Sequence, residues 1–231
     1  MDLFPLWNSL RIAAFSSVIV FFLGIFLGYF IKKLPKVWKG ILDVILTLPL
    51  VLPPTVCGFF LLLIFGPLHP VGKFLGELGI QIAMDWKGGI IASAFVSFPL
   101  MYRTTRGAFE NFDENLAYAG KTLGLSNHYV FWRIRVPACK NGIAAGSVLA
   151  FARALGEYGA TSMLIGYTPG KTATISTTVY QFWRTNDSKN ALIWVLINVA
   201  ISAVVLIIVN IIEKRDNSKK KGSINELARQ D

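Results

Sequence analysis

Three observations predict an all-α polytopic membrane protein with about five transmembrane helices. Of its 231 residues, 54% are hydrophobic and only 16% charged, whereas a soluble domain carries about a quarter of its residues charged. Apolar runs recur at about 12–31, 41–65, 88–102, 142–164 and 191–212. The basic residues between them fall unequally on alternate sides, as they do when Lys and Arg are retained in the cytoplasm.

The first run, Ile12 to Ile31, has the roughly twenty apolar residues that cross a bilayer. Positive charge follows it at Lys32, Lys33, Lys36 and Lys39. A cleaved signal peptide has its charge before a shorter apolar core, so this reads as a retained helix whose C-terminal end is cytoplasmic. The second run, Ile41 to Phe65, is interrupted by Pro49, Pro53 and Pro54, with Gly58 a turn beyond. Proline deletes helical hydrogen bonds that lipid cannot replace, so this backbone must be buried in protein or line a cavity. A simple kink is the alternative, and either way the helix is expected to face the bundle interior. A Pro/Gly loop over 66–87 leaves room for a short interfacial helix.

The third run is short enough to be re-entrant. Charge decides for a span, because otherwise the strongly basic 103–141 segment would share a side with the weakly basic 66–87 loop. With all five runs spanning, sixteen basic residues fall inside and six outside. Trp38, Trp86, Tyr102 and Trp183 lie near the expected boundaries. The N-terminus is then outside and the C-terminus cytoplasmic. One transmembrane domain covers 1–215, enclosing the polar loop 103–141, and 216–231 form a basic, solvated tail.

Several functions find no support. The formal charge of +10 follows from cytoplasmic retention of Lys and Arg, and no basic-aromatic patch lies outside the flanks of the spans. Cys57 and Cys139 sit in or beside apolar runs, as small buried hydrophobes do. His69 and His128 have no partner at ligand spacing, so no metal is expected. Gly166 to Thr172 imitates a phosphate-binding loop but has three residues between its glycines where the motif needs four. No nucleophile–base–acid set is present, and no inverted repeat of the secondary-transporter kind. The chain reads as non-catalytic, without a bound cofactor.

Two patterns invite function. From Glu114 to Pro137 runs a polar island in which Ala117, Gly120 and Gly124 fall three and four apart, a small-residue face on a helix. In the fourth run, Gly142, Gly146, Ala150, Arg153, Glu157 and Ala160 share one quadrant at 100° per residue. Charges within a span face a bundle interior or an aqueous path. Arg153 and Glu157 either neutralise each other one turn apart or serve a pathway or gate, together with Pro49, Pro53 and Pro54. An ion- or proton-driven carrier using this pair as a relay is the competing class; an intramembrane enzyme ranks below it for want of a dyad.

The polar island resembles the cytoplasmic loop of bacterial ABC-importer permeases, whose pattern is E-A-A, three residues, G, nine residues, I, one residue, L-P. Ala119, Gly124, Ile134 and Pro137 stand at that spacing. Tyr118 replaces the glutamate, Gly120 the second alanine and Val136 the leucine. Within such importers the chain is most similar to the molybdate permeases, through LTLPLVLPPTVCGFFLLL, SFPLMYRTTRGAFE, VLAFARALGEYGAT and TPGKTATI. The resemblance implies a homodimer in the cell membrane, two cytoplasmic ATPase subunits holding ATP and Mg²⁺, and an extracytoplasmic binding protein delivering molybdate, tungstate or sulfate. It also implies that Leu116, Ala117, Ala119, Gly120, Leu123, Gly124 and Pro137 couple to the ATPase.

Overall fold

Helix α1 (Phe4–Lys32) opens with Pro5 in its first turn, where a missing N–H costs nothing. The structure is a computed structural model whose described residues run from 2 to 227. Among them there are helices, turns and loops but no strand. The helix begins eight residues before the apolar run because Asn8 and Ser9, although polar, are buried with partners. Asn8 Nδ2 donates to the Ala173 carbonyl at 2.9 Å, and Ser9 Oγ accepts from the Ile175 N–H at 2.8 Å.

The second run divides into α2 (Lys36–Val51) and α3 (Pro54–Phe65), bent by 112°. Leu52 is driven to extended backbone by the proline after it, with φ −70° and ψ 142°. Pro53 then caps α3, and Pro54 occupies the first helical position it favours. Of α2 only Pro49 is buried within this chain, so the expected inward face belongs to α3, through Cys57, Gly58 and Leu61. A short α4 (Pro70–Glu77) lies in the following loop.

Helix α5 (Trp86–Glu110) is the centre of the bundle, packed by α1 on one side and α9 (Lys140–Leu155) on another. Its 25 residues extend about 37 Å, and it continues to Glu110, eight residues into the segment expected as loop. Its hydroxyls turn back on their own helix: Ser97 Oγ donates to the Ser93 carbonyl at 2.7 Å and Thr104 Oγ1 to that of Leu100 at 2.8 Å. Small residues let the neighbours approach: a Cβ on Gly24 of α1 would lie 2.5 Å from Met101 Cγ, and one on Gly142 of α9 2.5 Å from Ala108 Cβ.

Between α5 and α9 lie α6 (Glu114–Thr122), α7 (Asn127–Val130), a π-turn (Phe131–Arg135) and α8 (Val136–Ala138). After α9 the fourth run breaks at Gly156–Tyr158 and resumes as α10 (Gly159–Ile165), which packs on α3 and α5. The stripe expected on one continuous helix is therefore divided. Gly142, Gly146 and Ala150 lie on α9, and Ala160 lies on α10 against Gly58. Helix α11 (Ile175–Arg184) follows, then α12 (Ser188–Leu227), which carries helix into most of the expected tail; residues 228–231 lie outside the described residues.

Among the described residues, α1 and Ser188–Ile207 of α12 are each long and apolar enough to cross a membrane, and the bent α2–α3 pair passes the same measure only when taken together. Helix α9, at 16 residues, is too short to span alone. The basic stretches around Lys32–Lys39 and Arg103–Lys140 lie at one end of the bundle, where Lys32 pairs with Glu114 and Lys39 with Glu110.

The contact of α3 with α10 leaves no room for a side chain. A Cβ on Gly58 would stand 2.7 Å from Ala160 Cα and 2.8 Å from Met163 Cβ, whereas one on Gly40 would meet nothing. Gly58→Val is expected to destabilise by about 2–3 kcal/mol and lower the thermal unfolding midpoint in detergent. Gly40→Ala should leave that midpoint unchanged or slightly raised.

Candidate coupling element and translocation pathway

Asp113 caps α6 by accepting the Asn115 N–H at 2.9 Å. At the other end Gly124 takes φ +76°, its N–H bonds to Lys121 O at 2.9 Å, and the Leu125 N–H reaches Gly120 O at 3.1 Å. These two bonds form a Schellman motif with glycine at the left-handed position. Gly124 is thus the stop of the helix rather than a member of its face.

The small face is real but already occupied. Ala117 is fully buried, and a Cβ on Gly120 would lie 2.8 Å from Ile134 Cδ1 and 3.4 Å from Val130 Cγ2. The partner expected at that face is thus the chain's own α7 and π-turn. What α6 offers outward is Leu116, Tyr118, Ala119 and Leu123, the last 79% exposed.

The π-turn is tied to the missing donor of Pro137. The Val136 N–H bonds five residues back to Phe131 O, and the wider turn makes room for the proline ring against the Arg133 carbonyl. It also aims two side chains. Phe131 is buried with its ring centroid 4.6 Å from that of Tyr29 and 6.2 Å from that of Phe109. Arg135 donates two hydrogen bonds to Glu114, Nη1 to Oε1 at 2.8 Å and Nη2 to Oε2 at 2.6 Å. Lys32 adds a third donor to Glu114 Oε1 at 2.8 Å and donates to the Phe109 carbonyl at 2.6 Å.

The Arg135 guanidinium, assisted by Lys32 and opposed by burial, holds the Glu114 carboxyl at about 2. A depressed carboxyl pKa stabilises the fold above its ordinary value of 4.5, and that contribution is lost as pH falls towards about 2. The side chain is 38% exposed, so solvent screening keeps the contribution to about 1 kcal/mol.

The other candidate residues meet where the two helices break. A Cβ on Gly159 would lie 2.9 Å from Pro54 Cβ and 3.0 Å from Thr55 N, so the start of α10 sits on the start of α3. Glu157 is in the break itself, its side chain 1% exposed. Its Oε1 accepts the Ala160 N–H at 2.8 Å, and its Oε2 pairs with Arg153 Nη1 at 2.6 Å. Arg153 remains about one-third exposed. Pro53 and Pro54 belong to this junction, while Pro49 is buried one turn earlier in α2. Sequence periodicity missed the break before α10; its signal was the pair of glycines, Gly156 and Gly159, around a carboxylate.

Among the described residues no group of three or more His, Cys, Asp or Glu is placed to hold a metal. The arrangement joins a helix presented at the basic end to a bundle whose broken helices meet in its interior, which is the anatomy of a transport-system membrane subunit. The chain belongs to the family of binding-protein-dependent transport system inner membrane components, which matches residues 21–217. It is accordingly a multi-pass inner membrane protein.

Among its relatives is the molybdenum transport system permease protein ModB of Escherichia coli K12, 38% identical over 210 residues, covering 88% of this chain and 92% of that protein. The putative molybdenum transport system permease protein YvgM of Bacillus subtilis is 37% identical over 87% of this chain and 89% of that protein. A probable sulfate transport system permease protein of Chlorokybus atmophyticus is 30% identical over 89% of this chain and 72% of its own length. The fold is shared with a bacterial ABC transporter that imports the acidic polysaccharide alginate, with TM-score 0.73 at 18% identity over 92% of this chain and 79% of that one. It is also shared with the methionine ABC transporter MetNI, with TM-score 0.63 at 13% identity over 90% and 94%.

Both sites can be probed by substitution. Gly124→Val forces a β-branched residue into left-handed backbone at a cost of about 2 kcal/mol, while Gly124→Asn costs less. Faster tryptic cleavage after Lys121 in the valine variant, with membrane insertion intact, is the expected reading. Exchanging Arg153 and Glu157 restores the charge balance but removes the acceptor for the Ala160 N–H. A stability loss of about 1–2 kcal/mol is expected from the lost cap, seen as a lowered unfolding midpoint. An unchanged midpoint would mean that neutralisation is all the pair supplies.

Proposed function

We propose that this chain is the membrane-spanning subunit of an ATP-driven importer for a tetrahedral oxyanion, molybdate foremost. The observation that carries the substrate is the match to molybdenum permease proteins at 37–38% identity along nearly the whole of both chains. Two copies form the pathway, a binding protein on the outer side delivers the anion, and two cytoplasmic ATPase subunits supply the energy. ATP and Mg²⁺ belong to those subunits, and the chain itself catalyses nothing. All five sequence runs then cross the bilayer, α2–α3 and α9–α10 as broken spans. The N-terminus lies outside, and the charge count puts the Glu114–Pro137 region and the C-terminus in the cytoplasm.

Helix α6 docks on the ATPase through Leu116, Ala119 and Leu123, the apolar residues it leaves exposed. Ala117, Gly120, Gly124 and Pro137 act from behind, by seating α6 and shaping its ends. Closure of the ATPase pair moves α6 and, with it, the ends of α1 and α5. The pathway runs by Pro49 of α2 and, one turn on, by the junction of Pro53 and Pro54 with Arg153 and Glu157, where the helices are already broken and can rock without rupturing further backbone hydrogen bonds.

Sulfate is the second reading, supported by the 30% identity to the probable sulfate transport system permease protein of Chlorokybus atmophyticus; tungstate, with the same shape and charge as molybdate, is the third. The test is uptake of labelled molybdate by the assembled transporter in competition with tungstate and sulfate. Molybdate is expected to compete at the lowest concentration, with sulfate at least about tenfold weaker, or about 1.4 kcal/mol. Uptake that survives removal of ATP but collapses with an uncoupler would replace this reading with an ion-coupled carrier.

A further inference from the structure

The carboxylate of α6 is turned inward, and its partners show what it does. We propose that Glu114 is the clamp through which movement of α6 reaches the transmembrane helices, a positioning role that rests on α6 being the docking helix. Helix α6 packs chiefly on α7 and the π-turn. Those contacts are apolar, with Gly120 against Val130 and Ile134 and Ala117 in the same buried cluster as Val130. An apolar patch is non-directional and tolerates sliding. The Glu114–Arg135 pair is bidentate and charge-assisted, a geometry that fixes orientation as well as distance.

The same carboxylate is bonded to Lys32, the last residue of α1, and the Lys32 ammonium also holds the Phe109 carbonyl in the last turn of α5. One carboxylate and one ammonium therefore join α6, the π-turn, α1 and α5. Arg135 is itself buried, with its guanidinium 5.0 Å from the Phe112 ring centroid and 5.6 Å from that of Tyr29. The pair cannot swing without disturbing the aromatic packing at the ends of α1 and α5. At position 118, by contrast, the side chain is an exposed tyrosine, so the carboxylate of this helix serves an internal bond one turn earlier.

The experiment uses the full transporter, with ATPase subunits and binding protein, in proteoliposomes, and measures ATP hydrolysis and molybdate uptake together. Glu114→Gln is expected to keep the ATPase bound and hydrolysing while uptake per ATP falls at least about fivefold. Arg135→Gln should lower the same ratio, and the double variant should be no worse than Glu114→Gln alone, because Glu114→Gln already removes the Arg135 pair. Equal uptake per ATP in Glu114→Gln and wild type overturns the clamp. So does a proportional loss of hydrolysis and uptake with the ATPase still bound, which would put the side chain in control of turnover. If Glu114→Gln does not assemble, Lys32→Met leaves the Glu114–Arg135 pair intact and is measured by the same ratio. A fall in uptake per ATP then supports the clamp, and an unchanged ratio overturns it. A wild-type transporter that imports no oxyanion would defeat the substrate assignment instead, and is distinguished by that control.

Discussion

Lipid offers no hydrogen-bond partner to an open backbone, and this constraint governs the interior of the molecule. The chain breaks two of its helices within the apolar region, at Pro53 and at Gly156–Tyr158, and each break frees backbone groups that must be satisfied. They are placed against each other, with Gly159 on Pro54 and Gly58 on Ala160. The polar cost is contained in different ways. Prolines remove donors at the first break, and the buried Glu157 carboxylate accepts an N–H at the second. Arg153 then gives Glu157 the opposite charge that a carboxylate held away from water requires.

The interruption at the prolines was legible, though a simple kink stayed open; the structure makes it a full break, with Leu52 extended before Pro53 and a new helix from Pro54. The break after α9 was not legible, because glycine and tyrosine around a glutamate carry no comparable steric command; tertiary packing decides it. The third run was underestimated for a related reason. Ser97, Thr104, Thr105 and Arg106 lower its hydropathy, yet Thr105 is fully buried by the neighbouring helices and Arg106 pairs with Asp43 and Glu110. Hydropathy measures what faces lipid, and a helix surrounded by other helices does not have to be apolar all round.

Periodicity misled in a more instructive way at α6. Spacing established that Ala117 and Gly120 share a face and that a partner comes close to it, and both are so. It had no means of saying that the partner is Val130 and Ile134 of the same chain, because they arrive only after the Schellman turn at Gly124 reverses the backbone. Gly124 fell on the same helical arc by arithmetic but lies beyond the helix end, with φ +76°. Leu116 and Leu123, which the resemblance had already included, are apolar residues of this segment that stay exposed.

The two candidate sites lie apart, and helices join them. Helices α1 and α5 end beside α6 and the π-turn, and α5 also packs on α10, beside the second break. At the opposite end α1 is fastened to the loop before α11 through Asn8 and to the first residue of α11 through Ser9. Lys32 and Phe109 sit not in a loop but in the last turns of α1 and α5, which pack on each other. Close-packed cores resist continuous deformation, so a tilt of these helices would be taken up where the backbone is already interrupted. On the proposed function the helix breaks would serve the docking helix as much as the pathway, because they would give its motion a place to act.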